Sequence, residues 1–478
     1  MTKTNFNFDN SYENLPSRFF RKVHVNPVPH PGMVILNEDL ANELDLQIGD
    51  DALDIFSGRE FPKEASSISM AYLGHQFGNL AMLGDGRAIL VGEHLTKDNK
   101  RFDIQLKGSG RTPFSRGGDG RAAIGPMLRE YLISEAMYYL GIPTTRSLAV
   151  ITTGEKVIRE KILEGAILTR VAKSHLRVGT FQYANYQQDL EDFKKLADYA
   201  IARHYSEIIN EDDKYIKFYE KVIQAQGSLI AKWQAVGFVH GVMNTDNVTI
   251  SGETIDYGPC AFLDKYDPDA VFSSIDRYGR YAYGNQPQIG FWNLARFGEA
   301  LLPLIHEDEK VALDLVNEAL SKYSSIFQNY YYEEMTKKIG IESFKPEDIS
   351  LVDELLIFLK ENERDYTNFF LDLTFGNFES EAYKTGSFLT WKEKWEDRLK
   401  EENKSQNELL EYMKNHNPAL IPRNYWVERA LKLVEDEGDF SDFNRLLEAL
   451  KEPFAHKNYQ EFYRVVPDNM EYVTYCGT

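Results

Sequence analysis

The sequence predicts an α+β protein with two lobes and an extended, mostly helical C-terminal region. Three observations support this prediction. Strand-like runs and glycine-rich turns dominate residues 81–180, where only one helix is expected, near 121–140. After about residue 185, apolar residues recur at the spacing of an amphipathic helix. Strands and helices therefore occupy separate parts of the chain, whereas a doubly wound sheet would alternate them.

These patterns divide the chain into three parts. Residues 1–180 hold the N-terminal region and a β-rich lobe, and residues 181–290 hold the core of a helical lobe. Residues 291–478 extend that lobe as a helical and acidic region. Within the middle part, a loop-like stretch contains the segments 240–247 and 256–259, which carry the most informative motif.

Local patterns predict the individual elements. Ala88–His94 and Arg101–Leu106 are β-rich runs separated by a turn-like TKDNK, which predicts a hairpin. Apolar residues at helical spacing, ended by a Gly-Ile-Pro sequence, predict a helix over Gly120–Leu140. We also expect strands at Ser147–Thr152, Lys156–Arg159 and Ala166–Val171, a short helix near Ser66–Leu73, and longer helices at Phe193–Tyr205 and Tyr215–Val236.

Composition excludes several classes of protein. The 478 residues are 43% hydrophobic and 13% aromatic, which is ample material for a core and excludes global disorder. A formal net charge of −20 argues against nucleic acid or an anionic membrane as partners, because both require basic surface. A nucleotide is still allowed, since a few local arginines and lysines suffice to bind it.

The N-terminal sequence, the longest apolar runs and the cysteines exclude further classes of protein. The polar N-terminus lacks the apolar stretch of a leader, and no run approaches the ~18 apolar residues of a spanning helix. We therefore expect a cytoplasmic protein. The only cysteines are Cys260 and Cys476, which excludes a disulfide-rich secreted scaffold, and the absence of zinc-binding spacings argues against a structural zinc site.

The first chemical pattern pairs Lys107 with Glu130. Lys107 ends a predicted strand, and Glu130 lies in the middle of the helix that follows. Protein kinases hold the lysine that contacts ATP phosphates with a helix glutamate in this arrangement. We predict that Lys107 binds a nucleotide and that Glu130 orients the Lys107 side chain. The alternative is an ordinary surface ion pair.

The second pattern is a repeated glycine-arginine loop. The tetrapeptide Gly-Asp-Gly-Arg begins at Gly84, with Gly86 and Arg87, and occurs again around Asp119 and Gly120. Adjacent glycines let backbone N–H groups turn toward a phosphate, and arginine supplies a forked donor. These residues are predicted to contact the nucleotide, with simple hairpin turns as the alternative.

The third pattern is the most informative. His240 and Asn247 have the spacing of a kinase catalytic loop, and Asp256-Tyr-Gly takes the place of the metal-binding tripeptide. Val242 occupies the position of the usual catalytic aspartate and cannot accept a proton. We predict that Asn247 and Asp256 bind the metal and that Asp246, beside Asn247, is the base. A turn rich in Asn and Asp is the alternative.

Two arginines after a predicted strand form the fourth pattern. Arg170 and Arg177 lie seven residues apart in LTRVAKSHLRVGT. Guanidinium groups bind phosphates in a bidentate manner, so both are candidates for the nucleotide site. Ordinary solvated arginines are the alternative.

Together these motifs resemble selenoprotein O and its bacterial YdiU-type relatives. The resemblance is carried by LGDGRAILVGE, QLKGSGRTPFSRGGDGRAAIGPMLREYLISEAM, LTRVAKSHLRVGTFQYA and HGVMNTDNVTISGETIDYGPCAFLD. It spans about residues 65–300 and extends to Cys476, the third residue from the end, where animal members carry selenocysteine.

The resemblance implies a two-lobed protein-kinase-like fold that binds ATP in an inverted orientation. It implies transfer of AMP, with pyrophosphate release, to Ser, Thr or Tyr hydroxyls of proteins, and of UMP from UTP in bacterial members. Mg²⁺ or Mn²⁺ is the implied cofactor. Matched motif by motif, the roles predicted above for the nucleotide, the metal and the base are those of the family.

The family also implies a regulatory disulfide between Cys260 and Cys476, although two free thiols are the alternative in a reducing cytoplasm. Two other functions stay open at this point. One is an ordinary phosphotransferase, which Val242 disfavours. The other is a catalytically inactive nucleotide-binding scaffold, which has no use for both metal ligands and Asp246.

Overall fold

An antiparallel sheet forms the first part of the protein in this computed structural model, which describes residues 2–467 and 474. Its strands run in the order β1-β3-β6-β7-β10-β9-β2, and β8 pairs with β10. The strands of the chain are β1 Phe20–Lys22, β2 Gly32–Leu36, β3 Ile68–Met70, β4 Leu73–Gln76, β5 Asn79–Met82, β6 Ala88–Leu95, β7 Arg101–Lys107, β8 Ala122–Ala123, β9 Arg146–Ile158, β10 Ile162–Ala172, β11 Phe238–Val239 and β12 Ala261–Phe262.

Helices dominate the remainder. They are α1 Glu38–Glu43, α2 Ala52–Phe56, α3 Ile124–Tyr139, α4 Val178–Tyr186, α5 Leu190–His204, α6 Lys214–Val236, α7 Gln286–Ile305, α8 Glu309–Ser321, α9 Tyr323–Lys338, α10 Asp348–Glu361, α11 Tyr366–Phe375, α12 Gly386–Lys400, α13 Gln406–His416, α14 Asn424–Glu437, α15 Ser441–Leu450 and α16 Asn458–Arg464. The prediction of a mixed protein with a sheet followed by many helices is confirmed.

The predicted hairpin and long helices are confirmed, and three details differ. The expected helix near Ser66–Leu73 is wrong: residues 68–70 form β3, because backbone pairing with β1 and β6 outweighs local preference. The strands expected at Ser147–Thr152 and Lys156–Arg159 are one strand, β9, which continues through Gly154 at φ +71°.

The predicted helix at Gly120–Leu140 begins later, at Ile124. Ala122 and Ala123 instead pair with β10 as β8. Helix α3 then packs against β9 and β10 on one side and against α14 and α15 on the other. Because it is buried all round, its charged residues Arg129 and Glu130 require buried partners.

Helix α6 delivers the chain to the loop with the most informative motif. It packs against α7 and α9 and ends at Gly237, whose φ of +75° is the left-handed conformation of a helix C-cap. Two residues of β11 follow, and they pair with β12 on the far side of the loop. The segments 240–247 and 256–259 are therefore held together at the base of this short ladder. Among the described residues, no helix has both the length and the apolar character needed to cross a bilayer.

Candidate active site

Lys107 lies at the centre of a buried charge cluster. Strand β7 ends at Lys107, and α3 brings Glu130 to 2.5 Å between Nζ and Oε2. Both side chains are almost fully buried. Two ions removed from water are stable only when their remaining donors and acceptors are also paired. The structure therefore joins the two residues that the sequence pairs, and it places them where other charges must surround them.

Asp256 completes the cluster. Its Oδ1 accepts a hydrogen bond from Lys107 Nζ and lies 2.6 Å from Arg170 Nη2, which also reaches Glu130 Oε1 at 2.8 Å. Arg177 Nη1 lies 3.7 Å from Asp256 Oδ2. Burial alone would raise the pKa of Asp256, but Arg170, Lys107 and Arg177 together hold that pKa well below its usual value. The carboxylate is therefore ionised at neutral pH.

His240 ties the loop 240–247 to the segment that follows Ile255. Its Nε2 lies 2.9 Å from the Ile255 carbonyl oxygen, and burial lowers the pKa of the imidazole, so the neutral ring donates this hydrogen bond. Two residues on, Val242 presents an apolar side chain, but its carbonyl oxygen accepts a hydrogen bond from Asn247 Nδ2 at 3.0 Å. The Asn247 amide is thereby oriented, and its Oδ1 is the side-chain atom suited to a cation.

Asp246 has a buried carboxylate oxygen, Oδ1, that lacks a partner in the described part of the chain. Among the described residues, no donor forms a hydrogen bond with its Oδ1. Burial raises the pKa of Asp246 to about 6, and the charge of Arg177 opposes this rise. Gly74 of β4 makes room for the carboxylate, because a Cβ at that position would come within 2.4 Å of Oδ1. A carboxyl group with a near-neutral pKa and an unused oxygen is suited to accept a proton.

The loops that contain Gly84, Gly86 and Gly120 pack closely against neighbouring backbone and side chains. Gly84 has φ +98°, and a Cβ there would lie 2.5 Å from the Phe114 ring. A Cβ at Gly86 would lie 2.9 Å from the Phe114 carbonyl oxygen. Gly120, at φ +69°, approaches the Gly110 backbone so closely that a Cβ would come within 2.2 Å. These positions require glycine because the two loops fold onto each other.

Asp119 is held by an arginine that sequence reasoning missed. Arg159, which follows β9, approaches both carboxylate oxygens, at 2.8 and 3.0 Å. The Arg121 N–H donates to the same carboxylate at 2.9 Å. Hydrogen bonding from Arg159 lowers the pKa of Asp119 despite a smaller opposing effect of burial. Asp119 therefore positions Arg159 at the rim of the cavity.

One cavity of about 360 Å³ collects the predicted residues. Glu130 lies behind Lys107, outside the lining, and Cys260 is not part of it either. The predicted residues that line the cavity are Gly84, Gly86, Arg87, Lys107, Asp119, Gly120, Arg170, Arg177, Asp246, Asn247 and Asp256.

Further residues of the lining escaped the sequence analysis. Arg116 lies in the glycine-rich stretch GSGRTPFSRGG, which follows Lys107, and Asp85 lies inside the first Gly-Asp-Gly-Arg, so a closer look at both stretches would have found them. Asp85 is buried, accepts a hydrogen bond from the Met70 N–H at 3.0 Å and lies 3.7 Å from Arg177. Tyr72 stacks under the Arg177 guanidinium at 4.5 Å, and no sequence motif points to it.

Of the two cysteines predicted to pair, only Cys260 lies among the described residues. Cys260 is fully buried with a free thiol, and burial raises its pKa to about 11. Cys476 lies outside the described residues. Thr474, which is described, donates a hydrogen bond from its hydroxyl to the Pro259 carbonyl oxygen at 2.7 Å. The chain near its C-terminus therefore contacts the residue next to Cys260, and the disulfide stays a prediction.

Comparison with known proteins decides the family. The family model described as "Protein adenylyltransferase SelO" matches residues 2–451. The chain belongs to the SelO family. It is 53% identical to a protein of Clostridium perfringens (strain SM101 / Type A) named "Protein nucleotidyltransferase YdiU", over 100% of this chain and 99% of that one.

Other relatives agree. A protein of the same name from Bacillus cytotoxicus is 52% identical over 100% of this chain and 98% of its own length. One from Geobacillus kaustophilus is 53% identical over 98% and 99%. The resemblance predicted from the motifs is confirmed, and so is the prediction of an enzyme of the nucleotidyltransferase class.

Proposed function

We propose that this member of the SelO family transfers AMP from ATP to Ser, Thr or Tyr hydroxyls of proteins and releases pyrophosphate. The names of the family and of the YdiU relatives support the class of reaction. The observation that carries the finer proposal is the floor of the cavity, where the buried cations Lys107, Arg170 and Arg177 lie, together with Asp246, whose Oδ1 accepts no hydrogen bond from the described residues. UTP, as a donor of UMP, is the second nucleotide that the resemblance implies.

The proposed fold is the two-lobed arrangement of a protein kinase. Under this proposal, residues 1–180 form the smaller lobe, residues 181–290 the core of the larger one, and residues 291–478 its extension. Support comes from the sheet with α3 in the first part, the helices around α6 in the second, and the cavity lined by residues of both.

The charge of the floor supports an inverted nucleotide. Arg170 and Arg177 are 2% and 3% exposed, and Lys107, which is also buried, lines the same cavity. A purine ring is flat and largely apolar, so buried cations are poor neighbours for it. The β- and γ-phosphates are good ones, because guanidinium groups bind phosphate oxygens in a bidentate manner. Phosphates at the floor leave the α-phosphate nearer the opening.

Asp246 is the proposed base. The hydroxyl oxygen of the acceptor forms a bond to the α-phosphorus while the bond from that phosphorus to the bridging oxygen of pyrophosphate breaks. The hydroxyl proton passes to the carboxylate of Asp246, whose Oδ1 accepts no hydrogen bond from any described residue. Lys107, Arg170 and Arg177 stabilise the negative charge that moves onto the leaving pyrophosphate.

Asn247 and Asp256 fit a divalent cation. An amide oxygen and a carboxylate are hard ligands, and Mg²⁺ sites of this kind use few protein groups besides phosphates and water. Among the described residues, there is no cluster of three or more His, Cys, Asp or Glu side chains able to hold a metal. Mg²⁺ or Mn²⁺ bound there would neutralise phosphate charge.

Labelled nucleotide tests the proposal. A protein acceptor incubated with the enzyme, ATP and Mg²⁺ or Mn²⁺ should become labelled from ATP carrying the isotope at the α-phosphorus and stay unlabelled from ATP carrying it at the γ-phosphorus. The reverse pattern would establish a phosphotransferase. ATP binding without either label would establish a scaffold. A parallel reaction with α-labelled UTP compares the two nucleotides.

A further inference from the structure

A second groove lies beside the proposed active site. It has a volume of about 610 Å³ and lies between the turn of the β4–β5 hairpin, the segment 275–280 and the start of α7. Phe77 and Ile289 form part of its walls, and Ile275 and Tyr278 present exposed side chains to it, at 54% and 97% exposure. None of these four residues lines the cavity proposed for the nucleotide.

Hydrogen bonds connect this groove to the proposed base. Asn244, two residues before Asp246, accepts a hydrogen bond from the Tyr281 hydroxyl at 2.5 Å and another from the Phe77 N–H at 3.1 Å. The Phe77 and Tyr281 rings contact each other edge to face, with centroids 5.3 Å apart. Asn244 also lines the nucleotide cavity. A residue of the groove, Phe77, is therefore in direct contact with a residue of the cavity, Asn244.

The groove carries basic side chains that have no acidic partner in the part of the chain that the structure describes. Among the described residues, neither Arg277 nor Arg280 forms an ion pair with a carboxylate, in contrast to the other arginines around the cavity such as Arg159 and Arg170. The Nε and Nη2 atoms of Arg280 are buried and have no hydrogen-bond partner in the part of the chain described.

Stacking holds Arg280 in place. Its guanidinium lies 4.7 Å from the centroid of the Trp292 ring. The neighbouring carboxylate, Asp276, is occupied by the backbone N–H groups of Arg280 and Tyr281, at 2.9 and 2.7 Å. A half-buried guanidinium that is fixed on an aromatic ring, and that forms no ion pair with a carboxylate of the described residues, is prepared to receive a carboxylate from elsewhere.

We propose that this groove binds the acceptor protein, as an extended segment with an Asp or Glu side chain on Arg280 and an apolar side chain against Ile275 and Tyr278. Charge complementarity supports this assignment: the chain as a whole has a net charge of −20, and yet Arg277 and Arg280, which line the groove, form no ion pair with a carboxylate of the described residues. The segment would bring its hydroxyl to the opening of the cavity. This inference rests on the proposed function, because it names the class of acceptor for the same site.

Peptide pairs test the groove. Two fluorescent peptides contain the same central hydroxyl residue and the same apolar residue, and they differ only in carrying flanking aspartates or flanking lysines. Binding is measured by anisotropy with the full-length enzyme and a non-hydrolysable ATP analogue, and AMP transfer is measured with α-labelled ATP. We expect the acidic peptide to bind about tenfold more tightly, as for a desolvated charge pair at an interface, and to be modified with a correspondingly higher kcat/KM.

Variants identify the residue responsible. Arg280→Gln should remove most of the preference for the acidic peptide through KM, with unchanged affinity for the ATP analogue, and Arg280→Lys should keep part of it. Arg277→Gln is the second variant, in case the loss of Arg280 disturbs folding. Arg445→Gln is the matched control: Arg445 is 69% exposed and lines neither cavity, so the preference should stay unchanged.

The outcomes separate the two proposals. Equal binding of both peptides by the wild type, or an unchanged preference in Arg280→Gln and Arg277→Gln, overturns the acceptor groove even if AMP transfer is observed. Tight binding of the acidic peptide that depends on Arg280, without transfer of the α-label, supports the groove and contradicts the proposed function. A dimer that dissociates in Arg280→Gln would assign the groove to a second copy of the chain and overturn the proposal.

Discussion

Glu130 is shared by two cations: its Oε2 lies 2.5 Å from Lys107 Nζ, and its Oε1 lies 2.8 Å from Arg170 Nη2. Asp256 receives the same two cations from the other side. The two acids therefore hold both basic groups in one buried cluster of charges at the floor of the cavity. A change to either acid should disturb the whole cluster.

Glu130→Gln should destabilise the protein. The substitution removes the negative charge that Glu130 shares with buried Lys107 and Arg170. Breaking a buried ion pair typically costs about 3–5 kcal/mol. Chemical denaturation measures the free energy of unfolding. The matched control is Glu428→Gln, whose glutamate pairs with Arg129 but is 51% exposed, and which should cost about 1 kcal/mol or less. Equal losses in both variants would contradict the assignment.

Asp246→Asn should abolish AMP transfer while ATP binding stays nearly intact. The amide is similar in shape to the carboxylate, but it cannot accept the hydroxyl proton. Transfer is followed with α-labelled ATP, and binding is followed by titration with a non-hydrolysable analogue. Comparable transfer by the variant and the wild type would rule out Asp246 as the base.

The pH dependence of wild-type transfer should follow the same residue. Burial raises the pKa of Asp246 to about 6, and a base acts only when it is deprotonated. We expect kcat/KM to fall as the pH decreases through about 6. A profile without this acidic limb, measured between pH 5 and 8, would argue against the proposed role.

Asp246 should also lower stability at neutral pH. A carboxyl group whose pKa is raised on folding binds its proton more tightly in the folded state, so its stability contribution is present at low pH and is lost as the pH rises through about 6. Because folding raises this pKa from an ordinary value of 3.8 to about 6, Asp246→Asn should increase the free energy of unfolding by up to about 3 kcal/mol at pH 7.5 and by little at pH 4. Unfolding in denaturant at both pH values measures the difference.

Two glycines separate backbone strain from steric conflict. Gly120 and Gly117 both have positive φ, at +69° and +89°. A Cβ at Gly120 would meet the Gly110 backbone at 2.2 Å, whereas a Cβ at Gly117 would meet nothing within 4 Å. Gly117→Ala should cost only about 1–2 kcal/mol of strain, while Gly120→Ala should also displace the loop and weaken ATP binding. Similar ATP affinities in the two variants would contradict this.

The motif residues could be predicted because their chemistry follows chain spacing. Lys107 at the end of a strand and Glu130 in the next helix, like His240 and Asn247 in one loop, have a sequence signature, and the structure brings all four to one region. The lining of the cavity also depends on tertiary approach, which has no such signature. Arg159 reaches the cavity only because β9 continues through Gly154.

Other features depended on contacts between distant segments. Gly74 makes room for Asp246, which lies 172 residues further along the chain, and nothing near either residue in the sequence indicates this. The wrong helix at 66–73 has the same cause, since β3 exists through its pairing with strands that local patterns do not reveal.

Helix α3 packs against segments that are synthesised much later, and Arg129, beside Glu130, makes two of these contacts. Its guanidinium donates to the Cys260 carbonyl oxygen at 2.6 Å and pairs with Glu428 of α14, and α15 also packs on α3. The helix that positions Lys107 is therefore fully packed only after residues 441–450 have left the exit tunnel. In a growing chain, which emerges N-terminus first, the support behind Lys107 would be complete only long after residues 72–259, the part of the chain that lines the cavity, have been made.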